Sequence, residues 1–259
     1  MLVVISPAKK LNWDPVNLTN LTNVTSPVFE KEAFELSQIA KDLNPQELSD
    51  LMGISANLAK LNYDRFHSFE NKASDKNARP ASMAFAGDTY AGLEAKTLDL
   101  VSSQYAQDHL RILSGLYGLL RPFDLIQPYR LEMGSKLKTK KGNSLYEYWG
   151  DTISAELNKQ AIKVNSTTLV NCASNEYFNA VDSKKLNLEV INPVFLENKS
   201  GKSKVISFFA KRARGAMARF IIEQRVKEVN GLKDFDLGGY KFQPKDSSNN
   251  KIVFLRNHT

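Results

Sequence analysis

The sequence is poor in the residues that build metal and redox centres. One cysteine, Cys172, and three histidines, His67, His109 and His258, serve 259 residues. A single cysteine excludes an internal disulfide and suits a reducing compartment. The histidines lie too far apart for a zinc or haem site, and no acidic cluster asks for iron or magnesium. Neither a metal nor a cofactor is therefore expected. Long apolar runs are missing too, since nothing approaches the ~18 residues of a membrane span. The opening Met1-Leu2-Val3-Val4-Ile5-Ser6 is too short for a secretory signal, and a proline follows at once. A cytoplasmic protein without membrane contact is the expectation. No Gly/Ser/Pro-rich linker or internal repeat divides the chain, which reads as one compact domain.

What the chain has is local positive charge. The formal net charge is +7, and the excess is concentrated in one stretch, Lys199 to Lys227, where nine Lys or Arg face a single acid, Glu223. Laid on a helix from Phe209 to Val229, Lys211, Arg212, Arg214, Arg219 and Arg225 fall within roughly half the circumference. Ala213, Ala216, Met217 and Phe220 take the opposite face, with Ile221 at its margin. An ordinary solvated face interleaves both signs, whereas this one is nearly free of acids. The pattern predicts an anion-binding surface, and phosphate suits guanidinium because it accepts two parallel hydrogen bonds.

Short apolar runs ending in small polar residues predict strands. They are Leu2–Ile5, Met83–Ala86, Leu110–Leu113 and Leu169–Ala173. Helical periodicity covers Val28–Leu43, Gln46–Phe66, Ser144–Ala161 and Phe209–Val229. Later runs, Leu188–Phe195, Lys204–Phe208, Tyr240–Phe242 and Ile252–Leu255, read as antiparallel strands and hairpins. The alternation predicts a mixed α/β fold, a central mixed sheet surrounded by helices.

Three constellations carry chemistry. Around residues 45–66, two short amphipathic helices meet at a turn in the manner of a helix-hairpin-helix. Leu51, Gly53, Ile54, Leu58, Ala59 and Leu61 match the motif's core, and Ser55 replaces its second glycine. The backbone N–H groups opening the second helix, near Gly53, Ser55 and Asn57, would hold a phosphate, with Lys60 and Arg65 adding charge. A hairpin that merely packs gives the same pattern. Next, Ser6-Pro7-Ala8-Lys9 has the S-x-x-K spacing of a serine nucleophile and its lysine base, without the later motifs of such enzymes. Its place beyond a strand end favours a ligand crevice, with Lys9 meeting an anion. Lastly, Arg121 and Arg130 stand beside proline turns that stiffen the backbone. Arg121 would face a phosphate or carboxylate, and Arg130 has Glu132 as an ion-pair partner. Cys172 reads as a buried small side chain and His109 lacks an evident partner. Tyr146, Tyr148 and Trp149 read as core, although Tyr148 has the shape to stack on a base.

Longer blocks carry a resemblance. The segments ISPAK (Ile5–Lys9), GDTYAGL (Gly87–Leu93), HLRILSGLYGLLRPFDLIQPYRLEMG (His109–Gly134), LYEYWGD (Leu145–Asp151), NCASNEYF (Asn171–Phe178) and FFAKRARGAMARFII (Phe208–Ile222) resemble those of the bacterial peroxide stress protein YaaA family. The likeness spans essentially the whole chain and implies a single domain over 1–259. It further implies a cytoplasmic, DNA-binding protein with a helix-hairpin-helix and a positively charged cleft. The implied role is protection of DNA and protein from hydrogen peroxide, with lower free intracellular iron. Lys211, Arg212 and Arg214 fall in the family's basic motif.

Two readings stand on these grounds. The first is a DNA-binding protein of the peroxide response, contacting double-stranded DNA without sequence preference, and distorted or damaged DNA among its candidates. It would use Gly53, Ser55, Asn57, Lys60, Lys211, Arg212, Arg214 and Arg219. The second is an enzyme acting on a nucleotide or nucleic acid in a crevice lined by Ser6, Lys9, Arg121 and Arg130.

Overall fold

Leu2-Val3-Val4-Ile5, four apolar residues of which three are β-branched, forms β1, and every one of them is buried. A strand covered on both faces reads as a continuous apolar run, the signature of a parallel sheet under helices. The computed structural model describes residues 1–16, 24–199 and 201–257, so His258 lies outside the described residues.

The chain continues through β2 (Lys10–Leu11), α1 (Glu30–Lys41), α2 (Pro45–Met52), α3 (Ala56–His67), β3 (Arg79–Pro80), α4 (Ala81–Ala84), β4 (Phe85–Ala86) and α5 (Asp88–Leu93). Then come α6 (Leu100–His109), β5 (Leu110–Ser114), β6 (Gly118–Leu120), β7 (Leu125–Ile126), α7 (Leu145–Trp149), α8 (Thr152–Lys163), β8 (Thr168–Cys172) and α9 (Asn175–Phe178). The last part holds β9 (Glu189–Lys199), β10 (Lys202–Lys204), α10 (Ser207–Gln224), β11 (Lys241–Phe242) and β12 (Lys251–Asn257).

The main sheet runs β11-β12-β9-β8-β1-β5-β6, with β10 folded back on β9. From β12 to β5 every pairing is parallel, and β6, β10 and β11 are antiparallel additions. Around this mixed sheet the helices close one continuous hydrophobic core, from Met1 to Phe254. The order places a reversal beside β1. The chain leaves β1 toward β5 and later returns to its other side as β8. Ligands of open α/β sheets bind at the carboxyl ends of strands flanking such a reversal.

Several elements differ from expectation. Residues 83–86 are not one strand. Ala81 to Ala84 form a helical turn whose first amides bond Asp124 and Pro122 carbonyls, and only Phe85 and Ala86 extend. The expected strand at Lys204–Phe208 is displaced, because β10 stops at Lys204 and α10 begins at Ser207. The run after Ser144 is two helices, broken at Gly150, whose φ of 50° is left-handed. The late strands are not mainly antiparallel. β9 runs parallel to both β8 and β12, and the long excursion through α10 gives the chain room for that crossover.

The hairpin at 45–66 is two helices around a left-handed Gly53, φ 59°. Asn44 and Glu47 form a capping box at the start of α2, while Ser55, at the cap position of α3, makes no side-chain capping bond. Gly53, Ser55 and Asn57 are exposed.

Candidate functional site: a cation-lined crevice at the strand reversal

α10 owes its position to two glycines. A Cβ on Gly215 would lie 1.8 Å from the Thr89 carbonyl oxygen, and one on Gly92 would lie 2.0 Å from that of Arg212. No side chain fits at either place, so α5 and α10 cross in backbone contact. That crossing hangs Lys211 and Arg214, one helical turn apart, over Gly87-Asp88-Thr89 at the start of α5. Pairing of Lys10 with Ala86 brings the loop after β1 to the same place.

Between them lies a cavity of about 420 Å³. Ser6, Lys9 and Lys10 from the β1 loop line one side. Asp88 and Thr89 line another, Ser174, Glu176 and Tyr177 a third, and Lys211 and Arg214 complete it. Ile5 pairs with Cys172, so the loops after β1 and β8 emerge side by side at the reversal. Four cations thus meet two carboxylates around one opening.

Ser6 is held from three directions. Its carbonyl accepts from Tyr90 Oη at 3.1 Å, and its Oγ accepts the Ser174 amide at 2.8 Å and lies 3.3 Å from Ser174 Oγ. Burial pushes the Tyr90 and Tyr177 phenols well above their usual range, so Tyr90 keeps the proton it donates. Lys9 does not reach Ser6 as a base would. Its Nζ lies 3.5 Å from Glu132 Oε1, the oxygen that also takes Arg130 at 2.9 Å. Glu132 Oε2 is buried and has no hydrogen-bond partner among the described residues, beside a cavity of about 10 Å³, the size of one water. Below, Cys172 is buried and its thiol is pushed up to about 12 by burial, with the Arg214 charge pulling the other way. It is no thiolate nucleophile near neutral pH.

The other expected residues are placed elsewhere. Arg121 does not line the crevice. It follows β6, which runs antiparallel to β5, so it emerges toward the amino ends of β1 and β5. There its Nε donates to Asp124 at 2.9 Å and its Nη2 to the Ser26 carbonyl at 2.7 Å. Arg130 contributes through Glu132. On α10, Lys211 and Arg212 are exposed, but Arg219 is engaged. It bonds Glu223 at 2.7 Å, the Leu93 and Glu94 carbonyls and the Thr97 hydroxyl. Arg225 leaves the proposed face altogether. It ends the helix in a left-handed conformation, φ 52°, and its guanidinium lies 4.5 Å over the Tyr105 ring. Ile221, expected at the margin of the buried face, is fully buried. Lys60 pairs with Asp64 within α3. His109 does have partners, the Met1 carbonyl at 3.0 Å and the Tyr105 ring stacked at 3.8 Å. Tyr148 and Trp149 are core.

Sequence reading missed Lys10, Asp88, Thr89, Ser174 and Glu176. Lys10 had a signal, as the second lysine after a strand end. Asp88, Ser174 and Glu176 had the same kind of signal, polar residues just past an apolar run, and Thr89 had none. What brings them together is β4 pairing with β2 and β8 with β1.

Fold and crevice define a class: an α/β protein with a parallel core and a cation-lined crevice at its strand reversal. The chain belongs to the family described as peroxide stress protein YaaA, whose family profile matches residues 1–246. Similar proteins include a UPF0246 protein of Dinoroseobacter shibae, 55% identical over 99% of this chain and 95% of its own length. Another, from Ruegeria pomeroyi, is 54% identical over 99% and 98%, and one from Idiomarina loihiensis is 53% identical over the same shares.

Proposed function

We propose that this protein binds DNA through its phosphates as part of a cytoplasmic peroxide response, protecting DNA from oxidative damage. The carrying observation is the gathering of Lys9, Lys10, Lys211 and Arg214 around one cavity. Arg212 extends the charge along the exposed face of α10. The start of the hairpin's second helix, where Ser55 and Asn57 are exposed residues, is a second candidate phosphate contact, separate from the crevice lining. No base-reading element is invoked, so affinity should vary little with sequence and more with DNA shape. Lower free iron is, in this reading, a consequence of that role, not of metal binding by the chain. Among the described residues no helix is long and apolar enough to cross a membrane.

The test is fluorescence anisotropy with duplex, bent and single-stranded DNA over ~50–300 mM salt. With Arg121, Arg219 and Arg225 engaged by the protein, four crevice cations should give a slope of log K against log salt of about −3 to −4. No binding at the lowest salt would refute the reading.

A second reading, an enzyme acting on a nucleotide, is favoured by one observation: the crevice is a small-ligand volume at a strand reversal. Ser6 and Lys9 remain its candidates, with Arg130 acting through Glu132 and Arg121 no longer included. A Lys9→Ala variant that binds DNA yet loses peroxide protection would support it, and full protection would argue against it.

A further inference from the structure

Phe208 stands out on α10. The helix buries Ala210, Ala213, Met217 and Ile221, yet Phe208 is 52% exposed. Its ring rests on Phe209, centroids 3.8 Å apart. Phe209 is backed in turn by the Arg256 guanidinium at 4.3 Å, which is fixed by two hydrogen bonds to the buried carboxylate of Glu197. Phe208 is thus an aromatic surface on a rigid support.

Its surroundings are cationic. Lys211 and Arg212 follow at the third and fourth positions, on the same helix face. Lys202 and Lys204 are exposed on β10, the strand that precedes α10 in the chain. Lys211 also lines the crevice, with Arg214 a further turn inward. An exposed ring supported from behind and flanked by cations is the arrangement by which proteins hold unpaired bases, the base on the ring and the phosphates on the charges.

We propose that Phe208 and the crevice together bind an unpaired nucleotide, its base stacked on Phe208 and its phosphate among Lys9, Lys211 and Arg214. This rests on the phosphate-binding reading and names the form of ligand. The cavity of about 420 Å³ takes the phosphate and sugar, while Phe208, outside its lining, stands one helical turn from Lys211 within it. A duplex keeps its bases stacked inside and presents phosphates on a convex rod, so it reaches the rim but leaves the ring unused. The nucleotide has two sources, an unpaired stretch of DNA or a free mononucleotide.

The experiment compares a labelled single strand with a duplex of the same sequence at one salt concentration. Wild-type protein is set beside Phe208→Ala, Phe208→Leu and Phe208→Trp. Phe208→Ala should weaken single-strand binding about tenfold and duplex binding much less. Phe208→Leu, which keeps apolar bulk without a π face, should behave like alanine, and tryptophan should restore affinity. Equal losses on both DNA forms, or none, would overturn the proposal, as would a leucine variant as good as wild type. Competition with deoxynucleoside monophosphate separates the sources: displacement of the strand assigns the site to a nucleotide alone, and a Phe208 effect without displacement assigns it to a DNA strand. If wild-type protein binds no DNA, the DNA reading fails by itself. Thermal shift with the mononucleotide then still decides, a shift lost in Phe208→Ala upholding the site and no shift in wild type rejecting it.

Discussion

The two halves of α10 carry the same kind of side chain and meet opposite fates. In the first half, Lys211 and Arg214 open onto the crevice and Arg212 is exposed. In the second, Arg219 is tied to Glu223, Glu94 and three oxygen acceptors, and Arg225 folds back onto Tyr105. A helical projection treats all five as one basic face. What separates them is the company each keeps: the start of α5, Asp88 and Thr89, faces the first half's cations across the crevice, whereas the Leu93 and Glu94 carbonyls at its end take up Arg219 in the second. A cation with its donors filled by protein oxygens has little left for a phosphate, and breaking those bonds would cost more than a surface ion pair returns.

The largest effect should come from destroying the crossing that sets both halves. Gly215→Val forces α5 and α10 apart, since even a Cβ would meet the Thr89 oxygen at 1.8 Å. Replacing glycine within a helix gains about 1 kcal/mol of propensity at most, against an overpacking cost of about 3 kcal/mol or more. Urea unfolding should show a net loss of at least about 2 kcal/mol. A variant as stable as wild type would mean the backbones need not touch.

Next in size is the contrast itself. Lys211→Glu with Arg214→Glu should weaken DNA binding about a hundredfold and flatten the salt slope by roughly two, with little change in stability. Arg219→Ala should do the reverse. It removes several charge-assisted hydrogen bonds from a side chain that is only 16% exposed, costing about 2 kcal/mol of stability. Its DNA affinity should fall less than about threefold. Anisotropy and urea melts on the same samples check both, and an Arg219 variant that loses DNA but not stability would erase the distinction.

The comparison also marks what was legible in the sequence. β1, β5 and β8 were visible as apolar runs because both faces are covered, and α10 because its periodicity is local. The parallel order of β8, β9 and β12 was not, since the pairings join segments separated by a helix and tens of residues. The same distance hid the fate of the arginines. Arg219 bonds the Glu94 carbonyl across 125 residues, and Arg225 bonds Ser102 across 123. Arg121 was misplaced for a simpler reason: one antiparallel strand, β6, turned its end of the sheet around. Ser6 and Lys9 stand out in the sequence by their position beyond a strand, but the pairing of Lys9 with Glu132, which also holds Arg130, joins segments more than a hundred residues apart and has no local signal.

The smallest expected effect probes how far the charge of the first half reaches inward. Arg214 lies near enough to Cys172 to pull its thiol pKa down, yet burial wins and holds it up at about 12, against 9.0 for a free thiol. A folded pKa raised above the unfolded value means stability fully present below about pH 9 and lost as the pH climbs toward 12. Between those limits the unfolded thiol gives up its proton while the folded one keeps it. From pH 8 to 10, Cys172 should therefore cost the wild-type protein about 1 kcal/mol relative to Cys172→Ala, a difference that cancels the titration of lysines and tyrosines common to both. In the native state the thiol absorbance of Cys172 should not rise over the same interval. If it does, the crevice floor is wetter, or the reach of Arg214 longer, than the packing around β8 implies. The two halves of α10 would then differ in how strongly their charges act inside the protein as well as in what they leave free outside it.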